Sequence, residues 1–478
     1  MTKLLSWKCK DIIKATGGSL LTGEKGDLFE NISINSREIC PNTLFVAIKG
    51  NNHDGHDFMA HALKNGTSGF LINREKLPVL HNLETGKEKI TCLAVEDTII
   101  ALGDLASFNI KRSGVSVVAI TGSSGKTTTK EMTAAVLGKG FNTLSTPGNY
   151  NNNIGLPLTA FKLGPFHQWA VLELGMNRPE EIKNLAGICN PDIGVITNIG
   201  HAHIGAFDSI EGIVAAKAEL AEKIKNNGVL VLNGDDPRVL QIGKRTSKRL
   251  LVYGTGSNAE IKGEKIKKIP EGISFTLNLP GEKINIEIKA HGEFMVLNGL
   301  AAAAAGFLAG LDGTKIKAGL EEFLPEGGRF NLLETKNGIH IINDTYNANP
   351  DSMKAAMGTL NSLRGNKRGL LVLGDMLELG KHGDSMHMAI GAFAADSGAE
   401  KLYLTGAFAD QIAQGALNRG MTHQNIFVGT KKEAVEALSR ETTPGDWVLV
   451  KGSRGSSMED VVTGLTALRN GGEINSQF

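Results

Sequence analysis

The chain has 478 residues, 41% hydrophobic and 21% charged, an ordinary globular composition with room for roughly two to four domains. Lys plus Arg number 51 and Asp plus Glu 50, a formal net charge of +1, which leaves no basic footprint for nucleic acid and no polybasic membrane segment. Cys9, Cys40, Cys92 and Cys189 are scattered without C-x-x-C spacing, which fits a reduced, cytoplasmic compartment and speaks against a zinc site, and the opening "MTKLLSWKCKDIIKAT" has no apolar run of the signal-peptide kind.

Residues 1–113 mix short strand-like runs with turns. "LFVAIKG" (Leu44–Gly50) predicts a strand that runs into the polar turn "NNHDGHDF". "EDTIIALGDLASFNIKR" (Glu96–Arg112) has helical apolar spacing and closes on basic residues, as a helix C-terminus favours. From Ser116 the texture changes to strand-helix alternation. "VVAIT", "WAVLELG", "IGVITNIG" and "GVLVLN" are short apolar runs of the kind found in parallel strands covered on both faces. "ISFTLNL" and "INIEIKA" instead alternate with period two and predict a small antiparallel piece, and "GLAAAAAGFLAGL" (Gly299–Leu311) predicts a buried helix, being too short for the roughly 20 residues that span a bilayer. From residue 326, "GIHIINDTY", "RGLLVLGDM", "KLYLTG", "NIFVG" and "DWVLVKGS" open a second alternating unit, and "RNGGEINSQF" reads as a frayed tail. The expected architecture is α/β in three parts, 1–113, 114–325 (mostly parallel with an antiparallel appendage) and 326–478 (Rossmann-like).

"VVAITGSSGKTTTKEMTAAVL" (Val117–Leu137) predicts a buried strand, a glycine turn and a helix. A phosphate loop is written G-x-x-x-x-G-K-[ST]. Here Gly125-Lys126-Thr127 supplies its second half, but Ile120 occupies the first glycine position and the glycine falls at Gly122 instead. The chemistry tolerates this. Gly122, Ser123, Ser124 and Gly125 can turn successive N–H groups toward an anion, and the helix N-terminus adds positive potential at Lys126, Thr127 and Thr128. Lys126 can reach terminal phosphates and the Thr127 hydroxyl can hold Mg²⁺. A plain strand-helix turn is the competing reading; the apolar strand before it and the helix after it favour nucleotide binding.

Ligands of open α/β sheets gather at the C-terminal strand ends. "VLELG" puts Glu173 there, and "TNIGHAHIG" puts His201 and His203 just past the next strand. Glu173 is a natural Mg²⁺ ligand. Histidine is an unusual one, because Mg²⁺ prefers oxygen, so a hydrogen-bonded loop residue is the alternative for each. Lys217 sits among small apolar residues in "DSIEGIVAAKAELAEKI", where a snorkelling lysine is the bland alternative.

"GSSGKTT", "NNNIGLP", "ELGMNRPEEI", "TNIGHAHIGAFDS" and "AAKAEL", in this order, resemble the Mur ligase family, the ATP-dependent amide ligases of peptidoglycan precursor synthesis; the glycine-short loop is that family's own version. The resemblance extends over nearly the whole chain. "INDTYNANPDSM" and "LGDMLELG" are similar to the branch that joins D-alanyl-D-alanine to UDP-N-acetylmuramoyl-tripeptide, whereas the "DYAHTPDSL"-like and "DNPR"-type stretches of the branch adding a single amino acid are missing. The family pattern implies ATP and Mg²⁺ contacts for Lys126 and Thr127, a Mg²⁺ carboxylate at Glu173, a metal-linked histidine at His203 rather than His201, and CO₂-derived carbamylation of Lys217 to serve a second Mg²⁺. It implies a substrate contact at Asn153 and nucleotide contacts at Asn298, Arg329 and Asp344, where a linker arginine and a helix cap are the plainer readings of the last two. Around Asn298 this chain has "GEFMVLN" where many relatives have "GRHNVAN"-like residues, so any contact of that histidine-asparagine pair is lost. Ser36 and Arg37 match the block that cradles the uridine diphosphate end, and Lys451, Ser453 and Arg454 are placed after a strand where they could meet the incoming dipeptide.

The resemblance thus implies a ligase that makes an acyl phosphate from a substrate carboxylate and ATP, then an amide. The first unit would hold the UDP-sugar, the second ATP, and the third would close over both about linkers near residues 113 and 325, in a monomer. A single-amino-acid Mur ligase and a nucleotide switch without amide chemistry are the alternatives; a switch has no need of Glu173, His203 and Lys217 together.

Overall fold

The computed structural model describes residues 4–82, 90–325 and 327–469; residues 470–478 of the expected frayed tail lie outside them. Three sheets divide the chain. The first has the order Ser19–Thr22, Thr91–Val95, Gly69–Asn73, Thr43–Val46, Asn31–Ser33, antiparallel only in its first pair, with Trp7–Lys8 and Leu28–Phe29 paired separately. The strand expected over Leu44–Gly50 stops at Val46, because Lys49 bridges back to Asp54 and closes the polar turn.

The central sheet has nine strands: Glu282–Ile288, Gly272–Leu279, Ile261–Ile269, Arg249–Gly254, Val229–Asn233, Ile193–Ile196, Ser116–Thr121, Trp169–Glu173 and Thr143–Ser145. From Ile261–Ile269 to Thr143–Ser145 all neighbours are parallel. The antiparallel hairpin expected from period-two alternation is present and extends the main sheet, through Ile261–Ile269. That strand escapes sequence pattern because "IKGEKIKKI" is rich in lysine and an irregularity between Glu264 and Lys267 interrupts its alternation. The alanine-rich segment lies on the helix Phe294–Leu308, and Ala301–Ala305 are fully buried.

The third sheet runs Asn331–Glu334, His340–Asp344, Trp447–Lys451, Gly369–Leu373, Lys401–Leu404, Ile426–Val428, parallel except for its first pair. One continuous apolar core joins the central and third units, with Val117 and Leu172 on one side and Phe330, Ile342, Met353 and Leu404 on the other.

The first unit is joined to the central one by the helix Thr98–Ser113, whose Asp97 cap accepts from Ile99 N and Ile100 N. Its N-terminal half packs Ala101, Leu102 and Leu105 into the first unit's core, and Ala106 and Ile110 enter the core of the central unit. Buried Asn109 donates to the carbonyls of Ala160 (2.8 Å) and Leu163 (3.3 Å) and accepts from Arg112 Nε (2.8 Å). The Arg112 guanidinium then lies 3.9 Å from the centre of the Trp7 ring and donates to the carbonyls of Ser6 and Leu5. The junction near residue 113 is therefore a stapled helix end rather than a slack linker. Asn109→Ala leaves two buried carbonyls and Arg112 Nε without this partner and is expected to cost about 1–3 kcal/mol in chemical denaturation.

Candidate active site

The strand Ser116–Thr121 is flanked on both sides by later strands, Trp169–Glu173 and Ile193–Ile196. Three C-terminal strand ends and their loops therefore converge, the place where open α/β sheets bind ligands. Ile120 is fully buried and still in register with Val195 and Glu173, so the loop proper begins at Gly122, and a glycine at residue 120 has no turn to make. A Cβ on Gly122 would lie 1.8 Å from Thr197 Oγ1. Gly125 has φ +78°, and a Cβ there would lie 2.5 Å from Asn298 Oδ1. The loop is thus pressed between the next strand's end and the alanine-rich helix.

It is also fixed by hydrogen bonds. Ser123 N donates to Asn198 O (3.0 Å) and Ser124 N to Asn198 Oδ1 (2.8 Å). Thr197 Oγ1 (2.7 Å) and Asn198 Nδ2 (3.0 Å) donate to Ser124 O, while Ser123 Oγ donates to Gly200 O and accepts from Gly200 N. Past Gly125 the helix Lys126–Leu137 begins, with Thr127, Thr128 and Thr129 buried in its first turn. Lys126 Nζ folds back to Gly122 O at 2.9 Å. Burial depresses its pKa, Glu173 opposes that, and Arg329 adds a further depressing charge.

The Thr127 hydroxyl donates to Glu173 Oε2 at 2.8 Å, and Asn151 Nδ2 donates to the other carboxylate oxygen, Oε1, also at 2.8 Å. Glu173 is 2% exposed. Lys217, on the helix Ile210–Lys223, is 1% exposed, and its Nζ lies 4.0 Å from Met176 Sδ. Burial, assisted by the charge of Lys126, pushes its pKa well below the ordinary lysine value. Its amine is thereby favoured in the neutral form. His203 has φ +63° at the start of a short helix, and its buried Nδ1 lies 2.5 Å from Glu378 Oε2. That contact is the chief cause of the lowered pKa of Glu378.

The third unit completes the cleft. Asn349 Nδ2 donates to Ser124 Oγ (3.2 Å), the Asp351 carboxylate accepts from His201 N (2.7 Å), and Gly205 N donates to Glu378 O (3.0 Å). The Arg329 guanidinium stacks 3.6 Å over the Tyr346 ring, and among the described residues its buried Nε has no hydrogen-bond partner. Arg329, from the third unit, lies near enough to Lys126 for its charge to help depress the lysine's pKa.

The other expected residues fall at several places around this cleft and on the first unit. Asn298 is buried, its Oδ1 accepting from Thr129 Oγ1 at 3.2 Å. Asp344, at the end of its strand, accepts from Lys451 Nζ (2.6 Å) and from Phe330 N (3.2 Å), and Lys451 also donates to Asn347 O (2.8 Å). Ser453 Oγ accepts from Leu377 N and donates to Ala348 O, while the Arg454 side chain is exposed, 3.5 Å from Glu459. Ser36 and Arg37 sit on the first unit: Ser36 is buried, within 3.0 Å of His61 Nδ1 and accepting from Asn65 Nδ2 at its carbonyl, and Arg37 is exposed. Asn153 is half-buried beside Asn152, which caps Ile154 N and Gly155 N. Sequence reasoning misses Asn151, Asn198, Asn349, Asp351, Tyr346 and Glu378. The asparagine run "GNYNNNIG" is the one signal for the first of them.

Among the described residues no three His, Cys, Asp or Glu side chains gather as a metal cage. The donors that are present, a threonine hydroxyl and one carboxylate beside a phosphate loop, fit Mg²⁺, which keeps several waters and takes its remaining ligands from substrate phosphates.

Family models match the chain in three pieces: the Mur ligase family catalytic domain over residues 28–109, the Mur ligase middle domain over 120–306, and the Mur ligase glutamate ligase domain over 328–454. The chain is 35% identical over 457 residues to the UDP-N-acetylmuramoyl-tripeptide–D-alanyl-D-alanine ligase of Bacillus subtilis (strain 168), covering 95% of this chain and 97% of that protein. To the protein of the same name from Escherichia coli (strain K12) it is 33% identical over 439 residues, 91% and 93% of the two chains. Among solved structures, MurF from Acinetobacter baumannii matches with a TM-score of 0.87 at 30% identity over 97% of this chain and 100% of that one. MurF ligase from Thermotoga maritima in complex with ADP matches with a TM-score of 0.80 at 27% identity, over 91% and 97%.

Gly125→Ala would force a side chain into the left-handed region and against Asn298. It is expected to destabilise the chain by about 1–3 kcal/mol in chemical denaturation and to weaken ATP binding in titration calorimetry.

Proposed function

The chain belongs to the Mur ligase family, and from that premise we infer that it joins D-alanyl-D-alanine to UDP-N-acetylmuramoyl-tripeptide at the expense of ATP. The observation that carries this reading is the 35% identity, over 95% of the chain, to a relative bearing that activity in its name. The likeness therefore includes the third unit, where an acceptor would be chosen.

An amide cannot form from a carboxylate until its oxygen becomes a leaving group. The terminal carboxylate of the tripeptide attacks the γ-phosphorus of ATP; the bond to the β-bridging oxygen breaks, giving an acyl phosphate and ADP. The amine of D-alanyl-D-alanine then adds to the acyl carbon, loses a proton, and the tetrahedral intermediate expels phosphate. Lys126 and Arg329, close enough for the charge of one to act on the other, would hold charge where the phosphoryl group passes. Their origin in two units means that this pair is complete only when the third unit rests on the loop, through Asn349 and Ser124, and Asp351 and His201. A closed cleft also keeps water from the acyl phosphate.

Mg²⁺, when bound, supplies charge neutralisation between phosphates and carboxylate; Thr127 and Glu173 would hold it, with His203 at a second ion. Lys217 is the residue suited to carbamylation, since addition of CO₂ needs a neutral amine and burial favours one. The resulting carbamate would supply two oxygens to the second ion. Asp344, expected to accept ribose hydroxyls, also holds Lys451; both can serve at once, because a carboxylate has about four acceptor positions. Ser36 and Arg37 remain the proposed uridine diphosphate contacts, Asn153 a proposed substrate contact, and Ser453 and Arg454 proposed dipeptide contacts. No helix among the described residues is long and apolar enough to cross a membrane, and soluble precursors are the substrates this reading requires.

The direct test is ATP-dependent phosphate release with UDP-N-acetylmuramoyl-tripeptide and a panel of acceptors. Release with D-alanyl-D-alanine and not with single amino acids is expected; release driven only by a single amino acid, or without any acceptor, overturns the reading. Lys126→Ala is expected to lose about 3–4 kcal/mol of transition-state stabilisation in kcat/KM, the scale of one preorganised charge donor.

Lys217→Ala is expected to abolish ligation, with partial rescue by short carboxylic acids. In CO₂-free buffer, Lys217→Met is expected to be more stable than the unsubstituted chain. The folded pKa of Lys217 lies below the unfolded value, so folding releases a proton between the two. Stability from this group falls as pH drops from about 10.4 toward the folded pKa, and the methionine variant's advantage in thermal denaturation should grow in that direction.

A further inference from the structure

Lys130 is a charged side chain that the reaction does not use, and it is 0% exposed. Burying an ammonium costs several kcal/mol unless its donors are met. Its Nζ has three partners: Thr146 O at 2.7 Å, Gly148 O at 3.5 Å and Glu131 Oε1 at 2.5 Å. Two of these are backbone carbonyls of the loop that leaves Thr143–Ser145, a three-residue strand at the edge of the central sheet. A strand that short, paired on one side only, is a weak anchor for the loop beyond it.

That loop bears on Glu173. Thr146 Oγ1 accepts from Glu173 N at 3.0 Å. Five residues later Asn151 Nδ2 donates to Glu173 Oε1, and Asn151 O accepts from Gly175 N at 2.8 Å. The asparagine is also confined, since a Cβ on Gly175 would come within 2.7 Å of its Oδ1. Thr127 and Lys130 are three residues apart and so share one face of the phosphate-loop helix. The helix therefore grips Glu173 twice, directly at Oε2 through Thr127, and at Oε1 through Lys130, the loop and Asn151.

We propose that Asn151, anchored by Lys130, is a positioning residue that fixes which lone pairs of Glu173 are offered to the divalent cation accompanying the nucleotide. An amide donor on Oε1, opposite the Thr127 donor on Oε2, takes up one acceptor position on that oxygen and opposes rotation of the carboxylate. Outer partners of this kind change metal affinity by about 10–100-fold when removed. The proposal rests on the reading that Glu173 holds Mg²⁺, and its test separates the two.

ADP affinity is measured by calorimetry on the full chain with and without Mg²⁺, and direct Mn²⁺ binding to the ADP complex by electron paramagnetic resonance. Glu173→Gln serves as the reference. Asn151→Leu is expected to leave the Mg²⁺-free ADP affinity within about twofold while lowering Mn²⁺ affinity about tenfold or more. Asn151→Ala, which also removes the amide donor, should lose a similar amount, and Lys130→Met should move in the same direction. If Asn151→Leu keeps the full metal-dependent gain that Glu173→Gln loses, the positioning role is wrong. If Glu173→Gln keeps that gain too, the metal reading of Glu173 fails instead. Should Lys130→Met not fold, the two Asn151 variants decide the matter.

Discussion

The hydrogen bond from Thr127 to Glu173 joins the start of the phosphate-loop helix to the end of the neighbouring parallel strand, and much of the site is organised around it. Thr127 is the second residue of the phosphate-loop helix; Glu173 is the last residue of the neighbouring strand. A carboxylate 2% exposed would be costly if unpaired. Here both of its oxygens accept, and the need to supply those donors determines where the helix starts and where the asparagine loop returns. Gly125 lets the chain enter that helix in the space that Asn298 leaves. The loop's shortness relative to the usual phosphate motif has the same geometric cause, because the strand continues through Ile120 before the chain can turn.

The third unit is tied to this centre by polar contacts of modest individual strength and by a shared apolar core. Asn349, Asp351 and Glu378 each reach a residue of the phosphate loop or of the 200–205 segment. Surface-type contacts of this sort are worth little singly, but the continuous packing that includes Phe330 and Met353 makes them part of one folded body. Arg329 is delivered by the same chain segment, its guanidinium braced on the Tyr346 ring. The charge of Arg329 acts on Lys126, adding to the burial that depresses the lysine's pKa.

Much of this is legible in the sequence because parallel strands buried on both faces leave short β-branched runs, and because a strand end followed by glycine announces a ligand-facing loop. Gly122 through Thr128 and Glu173 are placed at strand ends that way, whereas the small apolar neighbours of Lys217 leave a snorkelling lysine as the plainer reading, and the fold buries it instead. The contacts that orient these groups are not legible. Asn151 and Glu173 are 22 residues apart, and Ser124 and Asn349 are 225 apart; nothing local distinguishes such an asparagine from a turn residue. Lys451 shows the limit from the other side. A lysine after a strand suggests a substrate contact, and the fold gives it the carboxylate of Asp344 on the adjacent strand, a pairing set by sheet order rather than by any motif. The strand Ile261–Ile269 is hidden by its lysines, although it is the piece that makes the antiparallel hairpin continuous with the main sheet.

The helix Thr98–Ser113 belongs to two cores at once, its early turns to the first unit and its later turns to the central one. A boundary drawn at residue 113 therefore cuts through no loop but severs a helix from half of its neighbours. Exchanging the first unit between relatives means carrying Asn109, Arg112 and the segment holding Ala160 and Leu163 as a matched set. The first and central units are in this respect coupled: substitutions at the seam must be compensated across it, and the two parts cannot drift independently.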